Sequence, residues 1–355
     1  MQALITGITG QDGAYLALHL LNLGYYRVIG LVRRTSDDNP VNHIRLPELR
    51  SYIESEQLVL EYGDVTDLHS LVRILREHSK ISEVYNLAAQ SHVAISFDTQ
   101  LSTLAINGVG PLNVLEAIRT VNPDIKLYQA STSEMFGDAA VQFQPQDEQT
   151  PFLPNSPYGC AKAYAHRMLV NARHSHGHRI ACGILYNHES EIRGENFVTR
   201  KITLSVAKIS LHRQEMLELG NMDAERDWGY APDYVIAMQA MLRQAEPPRT
   251  WQDYVIATGV KHSVRDFVTA AFVAAYEGKV DLLWLGEEDK TELVVDGVVR
   301  VQVNPLFYRP KDLNSLCGNP AKAIQDLGWN PRRTPFGVMV QRMVEHDLKQ
   351  VRAAA

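Results

Sequence analysis

The chain has 355 residues, of which 45% are hydrophobic, and its 35 lysines and arginines stand against 41 aspartates and glutamates, a formal net charge of -6. That length and apolar content suffice for one large hydrophobic core or two smaller ones. This slightly negative net charge differs from the excess of basic residues typical of proteins that bind nucleic acids or membrane surfaces, so we expect neither partner.

Three cysteines, Cys160, Cys182 and Cys317, lie far apart along the chain. An odd, scattered set without a C-x-x-C pair argues against a disulfide framework or a zinc ribbon and for a reducing compartment. The first residues resemble a strand rather than a basic and apolar leader, and no apolar run reaches the length of a membrane span. We therefore expect a cytoplasmic protein. The histidine-rich stretch 174–178 is more typical of a solvated helix end than of a metal site, so we predict no metal.

The first half of the chain alternates short β-rich runs with amphipathic helical stretches. Strands are predicted at Ala3–Thr6, Arg27–Val32, Gln57–Tyr62, Glu83–Ala88 and Lys126–Ala130, and helices near Ala14–Leu23, Leu68–His78 and Ile106–Arg119. This alternation predicts parallel strands joined by crossover helices, as in the Rossmann-like, doubly wound sheet of α/β proteins.

The regular alternation ends near residue 185, where loops lengthen and hydrophobic runs shorten. We predict that residues 1–185 form a dinucleotide-binding Rossmann domain. Segments near 225–260, including a strand at Tyr254–Ala257, would rejoin it. Residues 186–350 would mainly form a smaller α/β domain that binds the substrate, with a loop and a short hairpin between residues 277 and 300.

Three glycines spaced three residues apart follow the first strand, in T-G-I-T-G-Q-D-G. Glycines at this position permit a tight turn and allow a pyrophosphate to approach the backbone at the helix N-terminus. Turn chemistry alone can explain such glycines, but their place directly after the first strand favours a dinucleotide site. The cofactor-binding residues predicted in this turn are Gly7, Thr9, Gly10, Gln11, Asp12 and Gly13.

Two arginines, Arg33 and Arg34, follow the second predicted strand. An enzyme that uses NAD would typically place a carboxylate here for the ribose 2′-hydroxyl, whereas arginines suit a 2′-phosphate. Two solvated charges would be the alternative if the pair stood alone. Beside the glycine motif, the pair predicts NADP as the cofactor.

The ends of the third and fourth strands carry further candidate cofactor contacts. An aspartate after the third strand can accept from the adenine amino group, and small residues after the fourth would let the cofactor lie against the backbone. Packing alone can also explain small residues at strand ends. The predicted contacts are Asp64, Val65, Leu87, Ala88, Ala89, Gln90 and Ser91.

Tyr158 and Lys162 are four residues apart, so a helix would carry both on one face. A nearby ammonium favours the phenolate and lowers the pKa of a phenol, which predicts Tyr158 as a base near neutral pH. Lys162 could also hold the nicotinamide ribose. A lone Y-x-x-x-K usually marks an exposed helix face, but the glycine motif and the hydroxyls of Ser131 and Thr132 favour catalysis.

Glu134 lies in A-S-T-S-E-M-F-G, directly after the fifth predicted strand. Considered alone, it would be a cap or turn carboxylate. The carboxyl ends of strands border the ligand crevice in such sheets, so we expect Glu134 beside Tyr158. Oxidation of a sugar hydroxyl to a ketone acidifies the adjacent C–H, and a carboxylate can then remove that proton and eject a β-leaving group as water. Glu134 therefore predicts dehydratase chemistry in addition to hydride transfer.

Together these motifs resemble the GDP-mannose 4,6-dehydratase family, a branch of the extended short-chain dehydrogenases. The resemblance rests on Gly7–Gly13, Arg33-Arg34, Gln90–His92, Ala130–Gly137, Ser156–Gly159, Asn187–Ser190, Asn196–Lys201, Arg226–Gly229 and Tyr308–Pro310. It covers nearly the whole chain, and N-H-E-S and N-F-V-T-R-K are its most specific parts. It implies an NADP-dependent lyase that acts on GDP-mannose and assembles as a homo-oligomer, either a dimer or a tetramer.

The resemblance also implies a role for each matched residue. Tyr158 takes the C4 hydroxyl proton as hydride moves from C4 to NADP, and Glu134 takes the C5 proton and expels the C6 hydroxyl as water. The same hydride returns to C6, so no cofactor is consumed. Thr132 would hold the C4 oxygen and Ser133 would assist proton movement. Further matches to cofactor positions are His188 and Arg193, and matches to GDP-sugar positions are Ser91, Asn187, Val198, Lys201, Arg226 and Arg309.

The chain departs from the family pattern at several places. Glu191 and Ile192 replace a proline and an arginine, which removes a positive charge near the predicted pockets. Asn155 stands where an arginine is typical, and Asp312 where a glutamate is typical. The loop after Arg34 reads T-S-D-D-N-P, and in the family this loop bridges protomers. Another GDP-sugar, such as a GDP-heptose, therefore stays open as the substrate.

Two other functions remain compatible with this fold. A GDP-sugar reductase or epimerase would not need the carboxylate at Glu134. A catalytically silent protein that binds NADP or a GDP-sugar would not need the matched set Thr132, Glu134, Tyr158 and Lys162. The intact acid/base set favours the dehydratase over both.

Overall fold

A computed structural model describes residues 1–36, 39–244, 251–307 and 315–354 of the chain, which form fifteen strands and thirteen α-helices. The strands are β1 (Gln2–Thr6), β2 (Arg27–Val32), β3 (Leu58–Tyr62), β4 (Ile81–Asn86), β5 (Lys126–Thr132), β6 (Ile180–Leu185), β7 (Asn187–Glu189), β8 (Leu217–Leu219), β9 (Glu225–Tyr230), β10 (Asp253–Ile256), β11 (Lys261–Ser263), β12 (Leu282–Leu285), β13 (Glu292–Val295), β14 (Val298–Val303) and β15 (Ser315–Leu316). The helices are α1 (Gln11–Asn22), α2 (Arg50–Glu54), α3 (Leu68–Glu77), α4 (Val93–Asp98), α5 (Gln100–Leu104), α6 (Gly110–Val121), α7 (Ala139–Gln142), α8 (Pro157–His176), α9 (Val198–Ser210), α10 (Ala231–Gln244), α11 (Val264–Ala275), α12 (Ala321–Leu327) and α13 (Phe336–Ala353).

Seven strands form one parallel sheet in the order β10-β6-β5-β4-β1-β2-β3. Apolar side chains on both faces of the sheet pack against flanking helices, which is why its strands are almost continuously hydrophobic. The predicted Rossmann-like, doubly wound α/β fold is confirmed. The strand predicted near residues 254–257 does return to this sheet, as β10 beside β6.

The order of the strands determines where a ligand can bind. From β1 the chain proceeds outward through β2 and β3, and it then crosses to β4 and proceeds the other way through β5 and β6. The helices that follow β1 and β4 therefore lie on opposite sides, which opens a crevice at the carboxyl ends of these two strands. The predicted glycine turn and the predicted catalytic residues all follow strands at this edge.

The remaining strands form two small sheets. One has the order β11-β9-β15 with β7 also paired to β9, and the other has the order β12-β13-β14-β8. Helices α9, α11 and α13 bury a second apolar core against them. The predicted hairpin is β13–β14, and its Asp296-Gly297 turn has positive φ at both residues, as a tight two-residue hairpin turn requires.

One helical segment in the described part of the chain, Gln100–Val121, has the length and the apolar composition of a membrane span. The expectation that no apolar run reaches the length of a membrane span is therefore wrong for this segment. Half of the segment is buried within the fold, and it packs against α3 and α8. The core helix of a folded domain has the same composition, and these contacts agree with that role.

An ion pair joins the turn after β1 to strand β7 of the neighbouring sheet. His188 Nε2 lies 2.8 Å from Asp12 Oδ2, and His188 Nδ1 lies 2.7 Å from the Tyr186 carbonyl. Both neighbours are acceptors, so both ring nitrogens carry protons and the imidazole is a cation. Burial alone would lower the pKa of His188, but Asp12 and the Tyr186 carbonyl raise it. Burial alone would raise the pKa of Asp12, but His188 lowers it to about 2.

Replacing Asp12 by asparagine should therefore destabilise the protein in a pH-dependent way. The contribution of His188 is complete below its ordinary pKa of about 6.5 and is lost as the pH rises through its raised value in the folded state. The contribution of Asp12 is complete above its ordinary pKa of 3.8 and is lost only as the pH falls toward about 2. Near pH ~6 we expect Asp12→Asn to lower the free energy of unfolding by about 1 to 3 kcal/mol.

Chemical denaturation at about pH 6 and about pH 9 measures this difference, which should shrink at the higher pH because His188 loses its charge there. Asp124→Asn, at an exposed carboxylate paired with Arg179, is the control. A loss for Asp12→Asn that does not shrink between these two values would contradict a loss of the His188 charge in this range.

Candidate active site

A cavity of about 1460 Å³ opens at the carboxyl edge of the main sheet and extends to the smaller sheets. It is lined by all but two of the residues predicted to be catalytic, cofactor-binding or substrate-binding. Arg34 is one exception, because its guanidinium lies 4.5 Å from the Tyr62 ring centroid instead. Arg309 is the other, and it lies outside the described residues, as does Asp312. The roles of both arginines stay predictions.

The glycine turn forms one wall of this cavity. Gly7 has a φ of +76°, and a Cβ atom there would lie 2.9 Å from the Ala88 nitrogen. A Cβ atom on Gly13 would overlap the Gly7 carbonyl oxygen. The two glycines therefore let the turn pack directly against neighbouring backbone, and helix α1 begins at Gln11 with its first turn lining the cavity. This cradle fits the pyrophosphate of a dinucleotide.

The ends of β2 and β3 form the next part of the wall. Arg33 lines the cavity directly after β2, and Asp64 lines it after β3. Asp64 Oδ1 accepts hydrogen bonds from the Thr66 nitrogen at 2.8 Å and the Thr66 hydroxyl at 2.7 Å. These bonds hold the carboxylate in one orientation at the position where the sequence predicts an adenine contact.

Glu134 follows β5 in a short turn that Thr132 caps. The Thr132 hydroxyl accepts a hydrogen bond from the Glu134 nitrogen at 3.3 Å, which ties the two candidate catalytic residues together. A Cβ atom on Gly159 would lie only 2.7 Å from the Glu134 carbonyl oxygen. Glycine after Tyr158 therefore lets helix α8 approach the end of β5 closely enough to bring Tyr158 and Glu134 together.

Helix α8 begins just before Tyr158 because Ser156 caps it. The Ser156 hydroxyl accepts from the Gly159 nitrogen at 3.0 Å, and Pro157 occupies the first helical position, where no N–H is needed. The Tyr158 nitrogen donates to the Ser96 hydroxyl at 3.2 Å. These bonds fix the orientation of Tyr158 at the start of the helix.

Tyr158 and Lys162 are both almost fully buried, and burial dominates their acidities. Burial raises the pKa of Tyr158 to about 12, a hydrogen bond with Thr132 opposes the rise, and the charge of Glu134 adds to it. Burial lowers the pKa of Lys162 to about 8, against the attraction of Asp12. Lys162 Nζ lies 5.9 Å from the Tyr158 ring centroid and donates to the Ala130 carbonyl at 2.9 Å.

The expectation that the neighbouring ammonium lowers the pKa of Tyr158 toward neutrality is not met by these side chains, because burial raises it. The sequence showed the i, i+4 spacing but not the depth at which both groups lie. At this separation, burial disfavours the phenolate more strongly than the Lys162 ammonium favours it. These side chains by themselves therefore favour the phenol form of Tyr158.

The far end of the cavity is lined by the predicted GDP-sugar residues that the structure describes, Asn187, Val198, Lys201 and Arg226. Lys201 Nζ lies 3.6 Å from the Phe307 ring centroid. Leu306 and Phe307 also line the cavity, and Leu306 is 88% exposed. The sequence analysis missed this apolar edge because it follows β14, far along the chain from the other predicted residues. Two exposed apolar residues in a loop would have been the only signal.

Two further polar residues were missed. Asn107 lies in a π-helical turn, Ala105–Val109, and its side chain pairs with both the nitrogen and the carbonyl of Gln90, at 2.9 and 2.8 Å. Buried Glu189 accepts from Thr199 at 2.6 Å and pairs with Arg193 at 3.0 Å. Each holds a predicted cofactor residue in place. Glu189 belongs to the N-H-E-S motif but was not assigned a role, and Asn107 belongs to no local sequence pattern.

Of the departures from the family pattern, Glu191, Ile192 and Asn155 lie outside the cavity lining, whereas Thr35 of the loop after Arg34 is part of it. The Glu191 carboxylate accepts from the hydroxyls of Tyr15 at 3.0 Å and Tyr230 at 2.9 Å, and the Ile192 carbonyl accepts from Arg45 at 3.0 Å. Asn155 donates to Asp138 at 2.9 Å on the surface. Glu191 and Ile192, which replace the proline and arginine of the family, therefore do not contribute side chains to the cavity.

The fold is similar to that of several solved proteins. UDP-glucose 4-epimerase from Thermotoga maritima with UDP-glucose has a TM-score of 0.78 at 22% identity, over 99% of this chain and 100% of that one. dTDP-glucose 4,6-dehydratase from Bacillus anthracis with NAD has a TM-score of 0.77 at 21% identity, over 99% and 98%. RMD from Pseudomonas aeruginosa with NADPH has a TM-score of 0.74 at 18% identity, over 98% and 99%. At these identities the similarity shows the fold alone.

In sequence, the chain is similar to several proteins that carry one name. GDP-mannose 4,6 dehydratase from Homo sapiens is 48% identical over 99% of this chain and 92% of that protein. The protein of the same name from Drosophila melanogaster is 47% identical over 99% of this chain and 87% of that protein. The one from Vibrio cholerae is 46% identical over 98% of this chain and 94% of that protein. The family model described as GDP-mannose 4,6 dehydratase matches residues 4–343. The chain belongs to the GDP-mannose 4,6-dehydratase family.

Proposed function

We propose that the protein is an NADP-dependent lyase that converts GDP-D-mannose to GDP-4-keto-6-deoxy-D-mannose and water. The observation that carries this proposal is the position of Glu134 at the carboxyl end of β5, next to Tyr158 and in the same cavity as the glycine turn. A redox site needs a base such as Tyr158, but only an elimination needs a second acid/base group. Membership in the family supports the same reaction and substrate.

The chemistry at C4 would use Tyr158 and Thr132. The Thr132 hydroxyl lies close enough to the Tyr158 phenol to lower its pKa, so both hydroxyl groups would contact one substrate oxygen. Tyr158, as its phenolate, would take the proton of the C4 hydroxyl as C4 becomes a ketone, with Lys162 held nearby by the Ala130 carbonyl. When bound, an oxidised nicotinamide would supply the hydride acceptor and a second positive charge beside that of Lys162, and both charges favour the phenolate.

Glu134 would then carry out the elimination. The C4 ketone acidifies the C5–H, and the half-buried carboxylate of Glu134 removes that proton. The same proton goes to the C6 hydroxyl, which leaves as water. Tyr158 returns its own proton to C5 as a hydride reaches C6, so both side chains end in their starting protonation states. Ser133, beside Glu134 in the cavity wall, would assist this proton movement.

The cofactor and the nucleotide would occupy opposite ends of the cavity. The glycine cradle, Asp64 and Arg33 fit an adenine dinucleotide phosphate, and among the structural neighbours RMD was solved with NADPH. Lys201 and Arg226 supply positive charge for the diphosphate of GDP, and Arg309 is proposed to join them. A different GDP-sugar has no specific support, because Glu191, Ile192 and Asn155 do not line the cavity.

We also propose that the protein is a homo-oligomer in a reducing, cytoplasmic environment. The three cysteines are free thiols, as this environment requires. Helices α5 and α8 pack together and expose apolar side chains on the same side of the fold, among them Leu101 at 84%, Tyr164 at 46% and Met168 at 41%. An apolar surface on two adjacent helices supports association with a second copy.

Glu134→Gln tests the proposed function directly. The amide keeps the shape but cannot accept a proton, so we expect the rate of water loss from GDP-mannose, measured by mass spectrometry, to fall at least ~100-fold. Oxidation at C4 should persist, so reduced nicotinamide should accumulate and be visible by fluorescence. Glu191→Gln is the matched control, because this carboxylate lies outside the cavity, and it should retain activity. Normal dehydration by Glu134→Gln would remove the carboxylate from the mechanism.

Arg33→Ala tests the choice of cofactor. Loss of a charge-assisted hydrogen bond to the 2′-phosphate should raise the Kd for NADP about tenfold or more and leave the Kd for NAD unchanged. The matched variant Arg34→Ala should have a smaller effect, because only Arg33 lines the cavity. Equal losses of affinity for NADP and NAD would show that Arg33 does not contact the 2′-phosphate.

Leu101→Glu tests the proposed oligomer. A charge on this face must be desolvated on association, so we expect sedimentation to show a smaller species than the wild type. Val141→Glu is the control, because Val141 is 78% exposed on α7, outside the surface formed by α5 and α8. A wild-type monomer at micromolar concentration would overturn the proposal.

A further inference from the structure

Three polar side chains lie side by side in the interior of the main sheet. Thr6 and Asn86 end the central strands β1 and β4, Gln129 lies within β5, and the three are cross-strand partners in the register. Their exposures are 0%, 1% and 1%. Central strands of a parallel sheet are normally apolar on both faces, and a buried polar group destabilises the fold unless all its hydrogen bonds are made. Three in a row point to a role other than packing.

The hydrogen bonds of Thr6 determine how the neighbouring amide is oriented. The Thr6 hydroxyl accepts from the backbone nitrogens of Leu87 and Ala88, each at 3.1 Å. Its single proton is then donated to Asn86 Oδ1 at 2.6 Å. Because Oδ1 faces Thr6, the Asn86 amide nitrogen must face the opposite way.

The same direction continues to the catalytic helix. Asn86 Nδ2 donates to Gln129 Oε1 at 2.8 Å, so Gln129 Nε2 faces onward and donates to the Ala130 carbonyl at 2.9 Å. That carbonyl also accepts from Lys162 Nζ at 2.9 Å. Both lone pairs of one carbonyl oxygen are therefore used, one by the chain of amides and one by the ammonium of Lys162.

We propose that Thr6, Asn86 and Gln129 are positioning residues for the proposed reaction, which hold Lys162 and the cofactor-lining backbone at Leu87 and Ala88 in one hydrogen-bonded unit. Hydrogen bonds that all point the same way polarise one another, so the chain is stiffer than its separate bonds. The backbone of Leu87 and Ala88, which would contact a cofactor, is therefore held by the same hydrogen bonds that orient Lys162. The three residues do not line the cavity, so they act through Lys162 and the backbone rather than on the substrate.

The surroundings of Lys162 explain why its position needs support. Asp12 attracts the ammonium. The other titratable neighbours on the same helix, Tyr158 and the buried His166, lie four residues before and four residues after Lys162. Only the Ala130 carbonyl among the described residues accepts a hydrogen bond from Nζ. A shift of this carbonyl would move Lys162 relative to Tyr158, and misplacement by about 1 Å can cost about 100-fold in rate.

The test is Gln129→Met, which keeps the length and volume of the side chain but removes both hydrogen bonds. We expect kcat for GDP-mannose dehydration to fall about 10- to 100-fold, with KM for GDP-mannose within about twofold of the wild type. Tyr85→Phe is the matched control, since it removes a buried hydroxyl from the same strand as Asn86, and this hydroxyl binds Glu83 instead. It should retain kcat while losing comparable thermal stability.

A second variant, Thr6→Val, changes the other end of the chain of hydrogen bonds. It takes the place of Gln129→Met in the test if Gln129→Met does not fold. Because both substitutions break the same unit, the double variant should be no slower than about the slower single variant. Losses in kcat that multiply would show two independent, merely structural effects and would overturn the inference. So would a folded Gln129→Met or Thr6→Val protein with wild-type kcat.

This inference rests on the proposed function, and the outcomes separate the two. If the wild type does not dehydrate GDP-mannose, the proposed function fails before any variant is compared. If the wild type is active and Gln129→Met equals it, only the positioning role fails. A raised KM with unchanged kcat would also contradict the inference, since it would place the effect on substrate binding.

Discussion

The hydrogen bond from the Lys162 ammonium to the Ala130 carbonyl joins the two elements on which the site depends. It links helix α8, which carries Tyr158, to strand β5, which leads to Glu134. The bond is possible only because the helix lies close against the strand end, and Gly159 permits that approach. Burial then affects the acidity of both side chains, since it raises the pKa of Tyr158 and lowers that of Lys162.

The cavity is also an assembly of distant segments. Its glycine wall follows β1, its acid/base group follows β5, and its far end comes from α9 and β9 in the smaller sheets. The ion pair between Asp12 and His188 connects the glycine wall to β7, which pairs with β9. This contact joins walls of the cavity that are distant along the chain.

Much of this architecture could be predicted from the sequence because its signals are local. The glycine turn, the alternation of strands and helices, and the Tyr158–Lys162 spacing each occupy a few adjacent residues. The hairpin at Asp296-Gly297 was also visible, because positive φ at both turn residues selects such a pair. The family resemblance extended these signals to the far wall of the cavity, where residues such as Lys201 have no local pattern to reveal them.

The errors arose where the outcome depends on depth or on distant partners. The acidity of Tyr158 depends on burial that no spacing reveals, and Glu191 points away from the pocket because Tyr15 and Tyr230 bind it from two other segments. The apolar edge at Leu306 and Phe307 is likewise assembled only by the fold. Asn86 and Gln129 look like ordinary polar interruptions in strands until the register sets them side by side.

The pairing of Asp12 with His188 has a consequence for the kind of molecule that the glycine cradle can hold. A carboxylate in the first turn of α1 would repel a phosphate from the same helix N-terminus that attracts it. The imidazolium cancels that charge within the protein, so the attraction of the free N–H groups is preserved. When His188 loses its proton, the cradle gains a net negative charge, and its preference for anions weakens although no atom that touches the ligand has been replaced. Protonation of a residue on β7 thus sets the electrostatic character of a turn that begins at residue 7.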